Sequence, residues 1–191
     1  MTTSTISAVE LYRRSVEEFT TRVALIGDHW TVPTPCAGWD VRALLQHIVE
    51  EDRWTPPLFA GLTVAQVGDR LAGDLLGGDP AFAYHTAADL ATKAVTSDRA
   101  MDGIVHLSFG DVPGHEYAVQ LAADHLVHAW DLGRALGREV RLDPQAVAAV
   151  RTWFEVNEDA YRQAGLVGPR GSLPEQAGPQ EELLMMFGRN P

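Results

Sequence analysis

Apolar positions recur at helical spacing in five long stretches of the chain. Over residues 4–26, Val9, Tyr12, Val16, Phe19 and Val23 fall three or four residues apart, which predicts an amphipathic helix stopped by Gly27. A loop follows, "WTVPTPCAGW" (30–39), with two prolines and a glycine. Asp40 stands where an N-cap belongs for a second helix through "VRALLQHIVEEDRWT", with Trp39 and Leu44 at the positions of a hydrophobic staple. Pro56-Pro57 are expected to end or kink it. Residues 61–80 are rich in Gly and Asp and hold at most a short helix. A third long helix, over 79–97, opens on an Asp79 cap with Pro80 in its first turn.

The period then changes. In "GIVHLSFGDVPGHE" (103–116), Val105, Leu107 and Phe109 alternate with His106 and Ser108, so this segment is a loop or a short extended piece. A fourth long helix covers 115–137 and closes at Gly137. A fifth runs from the Asp143 cap and Pro144 to about Ala164, before a Gly/Pro-rich tail and a short "EELLMMF". No repeat or interdomain linker interrupts the pattern. The expected architecture is an all-α helical bundle forming one domain over residues 1–191.

Polar groups sit inside these apolar faces. Asp124 and His128, four residues apart, project from one face of the fourth long helix, and Tyr117, Leu121, Leu132 and Ala135 share it. That face should point into the bundle, where a carboxylate is costly unless paired or bound to a cation. His125 lies roughly 80° from the centre of the face, which places it at the edge, partly solvated. In the second helix His47 shares its stripe with Leu44 and Trp54, and Glu51 follows one turn later. A His from one helix and Asp-x-x-x-His from another can converge on a divalent metal, leaving positions for water or substrate. Spacing alone leaves a second arrangement open: an Asp124–His128 pair satisfied within the bundle, with His47 bonded to a backbone carbonyl. Asp131 either orients an imidazole from behind or pairs with Arg134 on the surface.

Composition narrows the partners. The formal net charge is −11, with one lysine, Lys93, against fourteen arginines. Such a surface repels phosphate backbones and anionic membranes, so neither nucleic acid nor a membrane is an expected partner. No apolar run is long enough to span a bilayer, and the N-terminus lacks the basic and apolar regions of a secretory signal. The one cysteine, Cys36, has no partner for an internal disulfide, which suits a reducing cytoplasm. No base is tied to Cys36 by sequence, and the expected role is that of a small buried hydrophobe. His106 and Glu51 are expected to be packed or solvated, and His29 and His115 to lie at the surface; His85 and Asp89 form a further i, i+4 pair.

"TPCAGWDVRALLQHIVEEDRW" (34–54), "DHLVHAWDLGRALG" (124–137) and the closing "ELLMMFGRNP" (182–191) together resemble, in order, an actinobacterial family. That family is related to the N-terminal domain of mycothiol-dependent maleylpyruvate isomerase, within the DinB-like superfamily. The resemblance implies a DinB-like four-helix bundle with additional short helices and a divalent metal held by His47, Asp124 and His128. Zinc is the metal it implies first, with nickel or iron as alternatives. The isomerase-type pattern has Glu-x-x-x-His where this chain has Asp124-x-x-x-His128. The shorter acid ligates from closer in, ligates through water, or stands behind the ligands.

The resemblance further implies mycothiol as a co-substrate and a small electrophile as the other reactant, in a thiol-dependent transfer or isomerisation. A non-catalytic metal-binding module, for stress response or interaction, is the alternative. The isomerase carries an additional C-terminal domain with no counterpart in these residues, so activity on maleylpyruvate is not expected to carry over. A homodimer is compatible with all of this.

Overall fold

The structure, a computed structural model, describes residues 6–171 and 177–191. Three aspartates start helices as the sequence predicts. Asp40 accepts from the Ala43 N–H (2.8 Å) to begin α2 (Val41–Phe59), and Asp79 accepts from Phe82 (3.0 Å) to begin α4 (Pro80–Val95). Asp143 accepts from both Gln145 and Ala146 at 2.8 Å to begin α6 (Pro144–Gln163). Each satisfies backbone donors that the first turn leaves free. The first helix, α1, is shorter than the periodicity suggests: it runs Ala8–Val23, capped by Ser7. Residues 4 and 5 of the expected span lie outside the described residues, as does 172–176 of the Gly/Pro-rich tail.

The remaining elements are α3 (Val64–Val67), α5 (Gly114–Ala135), α7 (Pro179–Met186) and a hairpin of β1 (Ile104–Leu107) and β2 (Gly110–Pro113). Of the alternating segment 105–109, residues 105–107 lie in a strand and Ser108 and Phe109 in the turn after it; the pairing is antiparallel, so that Val105 faces Val112 and Leu107 faces Gly110. Expectation and structure part at Pro56-Pro57. α2 runs through both prolines to Phe59. They remove N–H donors within a turn of the helix end, and Ala60 and Leu62 still donate to the Pro56 and Pro57 carbonyls at 3.0 Å. Buried Leu58 keeps that last turn on the core.

Four helices close a ring: α1 packs on α5, α5 on α2, α2 on α4 and α4 on α1. The fold is all-α, a four-helix bundle with the 20-residue α6 and the shorter α3 and α7 outside it. Tyr12, Phe19, Leu44, Ile48, Tyr84, Leu126 and Leu132 are fully buried in its centre. Each large apolar side chain contributes about 1.5–3 kcal/mol on burial, so the ring rests on packing more than on its caps, which contribute about 1 kcal/mol each.

α6 covers α5 and α1 from outside, and α7 packs on α6 through stacked Phe154 and Phe187 rings 3.9 Å apart. Beyond the end of α5, Gly137 has a φ of +69°, which allows Arg138 N–H to reach back to the Gly133 carbonyl at 2.9 Å. Among the described residues no helix is long and apolar enough to cross a membrane.

Candidate metal centre

His47 and the Asp124/His128 pair come from α2 and α5, neighbours in the ring, and they meet inside it. The Asp124 carboxylate lies between the two rings, with Oδ2 3.1 Å from His47 Nε2 and Oδ1 3.3 Å from His128 Nε2. One donor atom from each of the three residues lies within 4.8 Å of the others. The Trp39 ring walls the group, stacked on His128 at 5.8 Å and tilted against His47 at 5.0 Å. His128 is 7% exposed at its side chain, whereas His47 and Asp124 keep 27% and 30%. The group is sealed at His128 and open to solvent along His47 and Asp124.

The charges are strongly coupled. Burial disfavours the protonated form of His47, but the Asp124 carboxylate outweighs it and the net direction is upward. His128 is lifted well above the ordinary histidine value, burial again being outweighed by Asp124 and then by hydrogen bonds to Asp124 and Asp131. Burial opposes ionisation of Asp124, yet the two imidazoles hold its carboxyl well below the usual carboxylate range.

The hydrogen bonding makes the donor set fit a cation. His128 Nδ1 donates to Asp131 Oδ2 at 2.9 Å, so the other nitrogen, Nε2, is left facing the Asp124 carboxylate. A lone pair aimed at a carboxylate is repulsive unless a proton or a metal ion lies between them. Donors around a tetrahedral zinc-type ion, each at about 2.0–2.1 Å, stand about 3.3 Å apart. The 3.1 and 3.3 Å separations run to different Asp124 oxygens, so either oxygen stands near that spacing from one imidazole, and one donor atom from each residue lies within 4.8 Å of the others.

A second cluster adjoins the first. Asp131 is fully buried and accepts from His128 and from Arg189, whose Nε and Nη2 reach it at 3.1 and 2.7 Å. Of the two arrangements open for Asp131, the inward one is realised; Arg134 instead lies over the Trp130 ring. Cys36 does not pack as an apolar residue. Its Sγ lies 3.2 Å from Asp131 Oδ2, 3.2 Å from Arg189 Nη2 and 3.8 Å from His128 Nδ1. Cys36, His128 and Asp131 could also surround a metal. The Arg189 guanidinium already supplies that cluster with a cation, whereas among the described residues Asp124 pairs with no lysine or arginine, only with His47 and His128.

His125 is the clearest correction. It is fully buried, not at a solvated edge: Nδ1 donates to the Leu121 carbonyl at 2.9 Å, and Nε2 lies 3.3 Å from Asp52 Oδ1, itself fully buried on α2. Glu51 is pushed up to about 7, by burial and then by the Asp124 charge. His106 pairs with Asp111 across the exposed hairpin at 2.7 Å, away from the centre. His29 and His115 are exposed, as expected, and so are His85 and Asp89. Sequence reasoning missed Arg189 and Asp52; Arg189 lies within the quoted "FGRNP", but nothing local links it to Asp131.

Two relatives, the uncharacterized proteins MT0763 and Rv0738 of Mycobacterium tuberculosis (strains CDC 1551 / Oshkosh and ATCC 25618 / H37Rv), are each 26% identical over 199 residues. Each alignment spans 93% of this chain and 95% of the relative. No solved structure matches. The profile described as "Mycothiol maleylpyruvate isomerase N-terminal domain" matches residues 12–133, a span that holds His47, Asp124, His128 and Asp131 but stops before α6, α7 and Arg189. The chain belongs to the mycothiol maleylpyruvate isomerase N-terminal domain family, a mycothiol-related, metal-binding family.

Proposed function

We propose that the chain holds a divalent metal through His47, Asp124 and His128 and uses it to activate a low-molecular-weight thiol, mycothiol in type, against a small electrophile. The reaction class is thiol transfer or thiol-dependent isomerisation. Zinc suits two imidazoles and a carboxylate, and the same donors accept nickel or iron. The observation that carries this reading is the lopsided exposure: His128 is sealed, while His47 and Asp124 open to solvent. Three protein donors with one open side is the ligand count of a reactive site, not of a structural one.

When bound, the metal supplies Lewis acidity, which lowers the proton affinity of a thiol that reaches it. The protein's own groups do the rest. Asp131 keeps the proton on His128 Nδ1 and so directs Nε2 at the centre. Trp39 excludes water from the face formed by the two imidazoles. Glu51, one turn beyond His47 with a carboxyl pushed up to about 7, is suited to accept and return a proton near neutral pH.

Elemental analysis of protein purified without a His-tag tests the metal, alongside His47→Ala and His128→Ala. Near-stoichiometric metal in the parent, lost in both variants, is expected. Trace metal, unchanged in the variants, would overturn the proposal. In a cobalt-substituted sample, added thiol is expected to shift the visible spectrum. A spectrum indifferent to thiol would favour the non-catalytic metal-binding module.

A further inference from the structure

A buried carboxylate behind a metal-ligating histidine is itself a problem of charge. Asp131 has no exposed surface, and its nearest cationic partner comes from the far end of the chain: Arg189, 14% exposed at its side chain. The guanidinium grips both carboxylate oxygens, with Nε 3.1 Å from Oδ1 and Nη2 2.7 Å from Oδ2. Its remaining Nη1 donates to the Phe187 carbonyl at 2.8 Å. A planar fork with both oxygens in reach fixes the plane of the carboxylate. Asp131 Oδ2 is thereby turned to receive His128 Nδ1 at 2.9 Å.

The backbone that delivers Arg189 is equally determined. α7 buries Leu183, Leu184, Met185 and Met186. Gly188 then adopts a φ of +74°, and Arg189 N–H returns to the Leu184 carbonyl at 2.8 Å. A Cβ at Gly188 would lie 2.9 Å from the Gly168 backbone, so the turn and the close approach both call for glycine. Arg162 ties down the same turn by donating to the Met186 carbonyl at 2.7 Å.

We infer that Arg189 is a positioning residue of the metal centre: acting through Asp131, it sets the orientation of His128, and docking of α7 is thermodynamically linked to metal loading. This rests on the reading of His47, Asp124 and His128 as ligands. It extends the centre beyond the family-matched residues 12–133 to the turn that follows α7. Linkage makes the effect reciprocal, so whatever loosens the α7 turn weakens metal binding and metal binding tightens the turn.

The test is cobalt(II) affinity, measured by competition with a chromophoric chelator, in the parent, Arg189→Ala, Arg189→Lys, Asp131→Asn and the Arg189→Ala/Asp131→Asn double variant. Asp131→Asn is expected to weaken affinity about 10–100-fold, the usual effect of losing the direct outer partner of a ligand, and Arg189→Ala, acting one step further out, by no more than that. Arg189→Lys should fall between the parent and Arg189→Ala, since an ammonium cannot span both oxygens. In the Asp131→Asn background the loss from Arg189→Ala should largely vanish. Gly188→Ala, which keeps every charged group but displaces the turn, should reproduce the loss and guards against an Arg189→Ala chain that does not fold. Hydrogen exchange at 184–189 should slow on adding cobalt to the parent and not to Arg189→Ala.

Parent-like affinity in a folded Arg189→Ala, or an equal loss with and without Asp131, would overturn the inference while leaving the ligand assignment standing. A parent that takes up no cobalt would overturn the ligand assignment itself, and this inference with it.

Discussion

Replacing Asp52 by alanine removes one half of the pair that joins α2 to α5 at the level of the metal centre. Asp52 and His125 are both fully buried, 3.3 Å apart, and poorly aligned, so neither carboxylate oxygen nor Nε2 completes a good hydrogen bond. His125 Nδ1 donates to Leu121 and Nε2 faces Asp52, so one additional proton must reside between the two side chains. Breaking a buried pair by removing one partner costs about 3–5 kcal/mol. The poor alignment places Asp52→Ala at the lower end, about 3 kcal/mol.

With a slope of about 2–3 kcal/mol per molar urea, the unfolding midpoint of the metal-free protein should fall by about 1–1.5 M. Asp52→Asn is a sharper probe. Its amide can donate to Nε2 without any ionisation, so it should cost no more than about 1 kcal/mol. Asp52→Ala and His125→Ala should be non-additive, with the double variant about 2 kcal/mol less destabilised than the sum of the singles. A cost below about 1 kcal/mol for Asp52→Ala, or additive single effects, would refute the pairing.

Protons compete with metal at His47 and His128, and Asp124 lifts both rings above the ordinary value of 6.5. Apparent cobalt affinity should therefore begin to fall, as pH is lowered, while still above 6.5, and Asp124→Asn should move that onset to lower pH. In the metal-free chain the sign reverses: the raised imidazoles contribute stability that is fully present below pH 6.5 and lost as pH rises through their folded-state range. Urea midpoints measured across that range check it. Glu51 ionises near 4.5 when unfolded and at about 7 when folded, so it subtracts stability as pH rises between those values. Glu51→Gln should be more stable than the parent at and above pH 7, with the gap closing below 4.5.

Much of the fold is written locally. The Asp40, Asp79 and Asp143 caps involve neighbours in sequence, and all three hold. His47 and Asp124 are 77 residues apart, yet both lie on apolar stripes that had to face inward. His125 was misplaced because a single-face reading suits a helix at the rim. α5 instead touches α1, α2 and α6, so nearly its whole circumference from Leu121 to Gly133 is covered. Pro56-Pro57 mislead for a similar reason: buried Leu58 outweighs two missing donors at a helix end. The Arg189–Asp131 grip spans 58 residues, and a lone arginine after a glycine has no periodicity from which its partner could be inferred.

In the proposed site Asp124, a short acid, completes the metal ligands with His47 and His128. Titrating cobalt(II) into the metal-free chain and into Asp124→Ala, followed by the visible absorption of the bound ion, tests it most directly. A saturable spectrum with an end point near one equivalent in the parent, abolished or greatly weakened in Asp124→Ala, is the predicted result. The same end point and affinity in both proteins would contradict it.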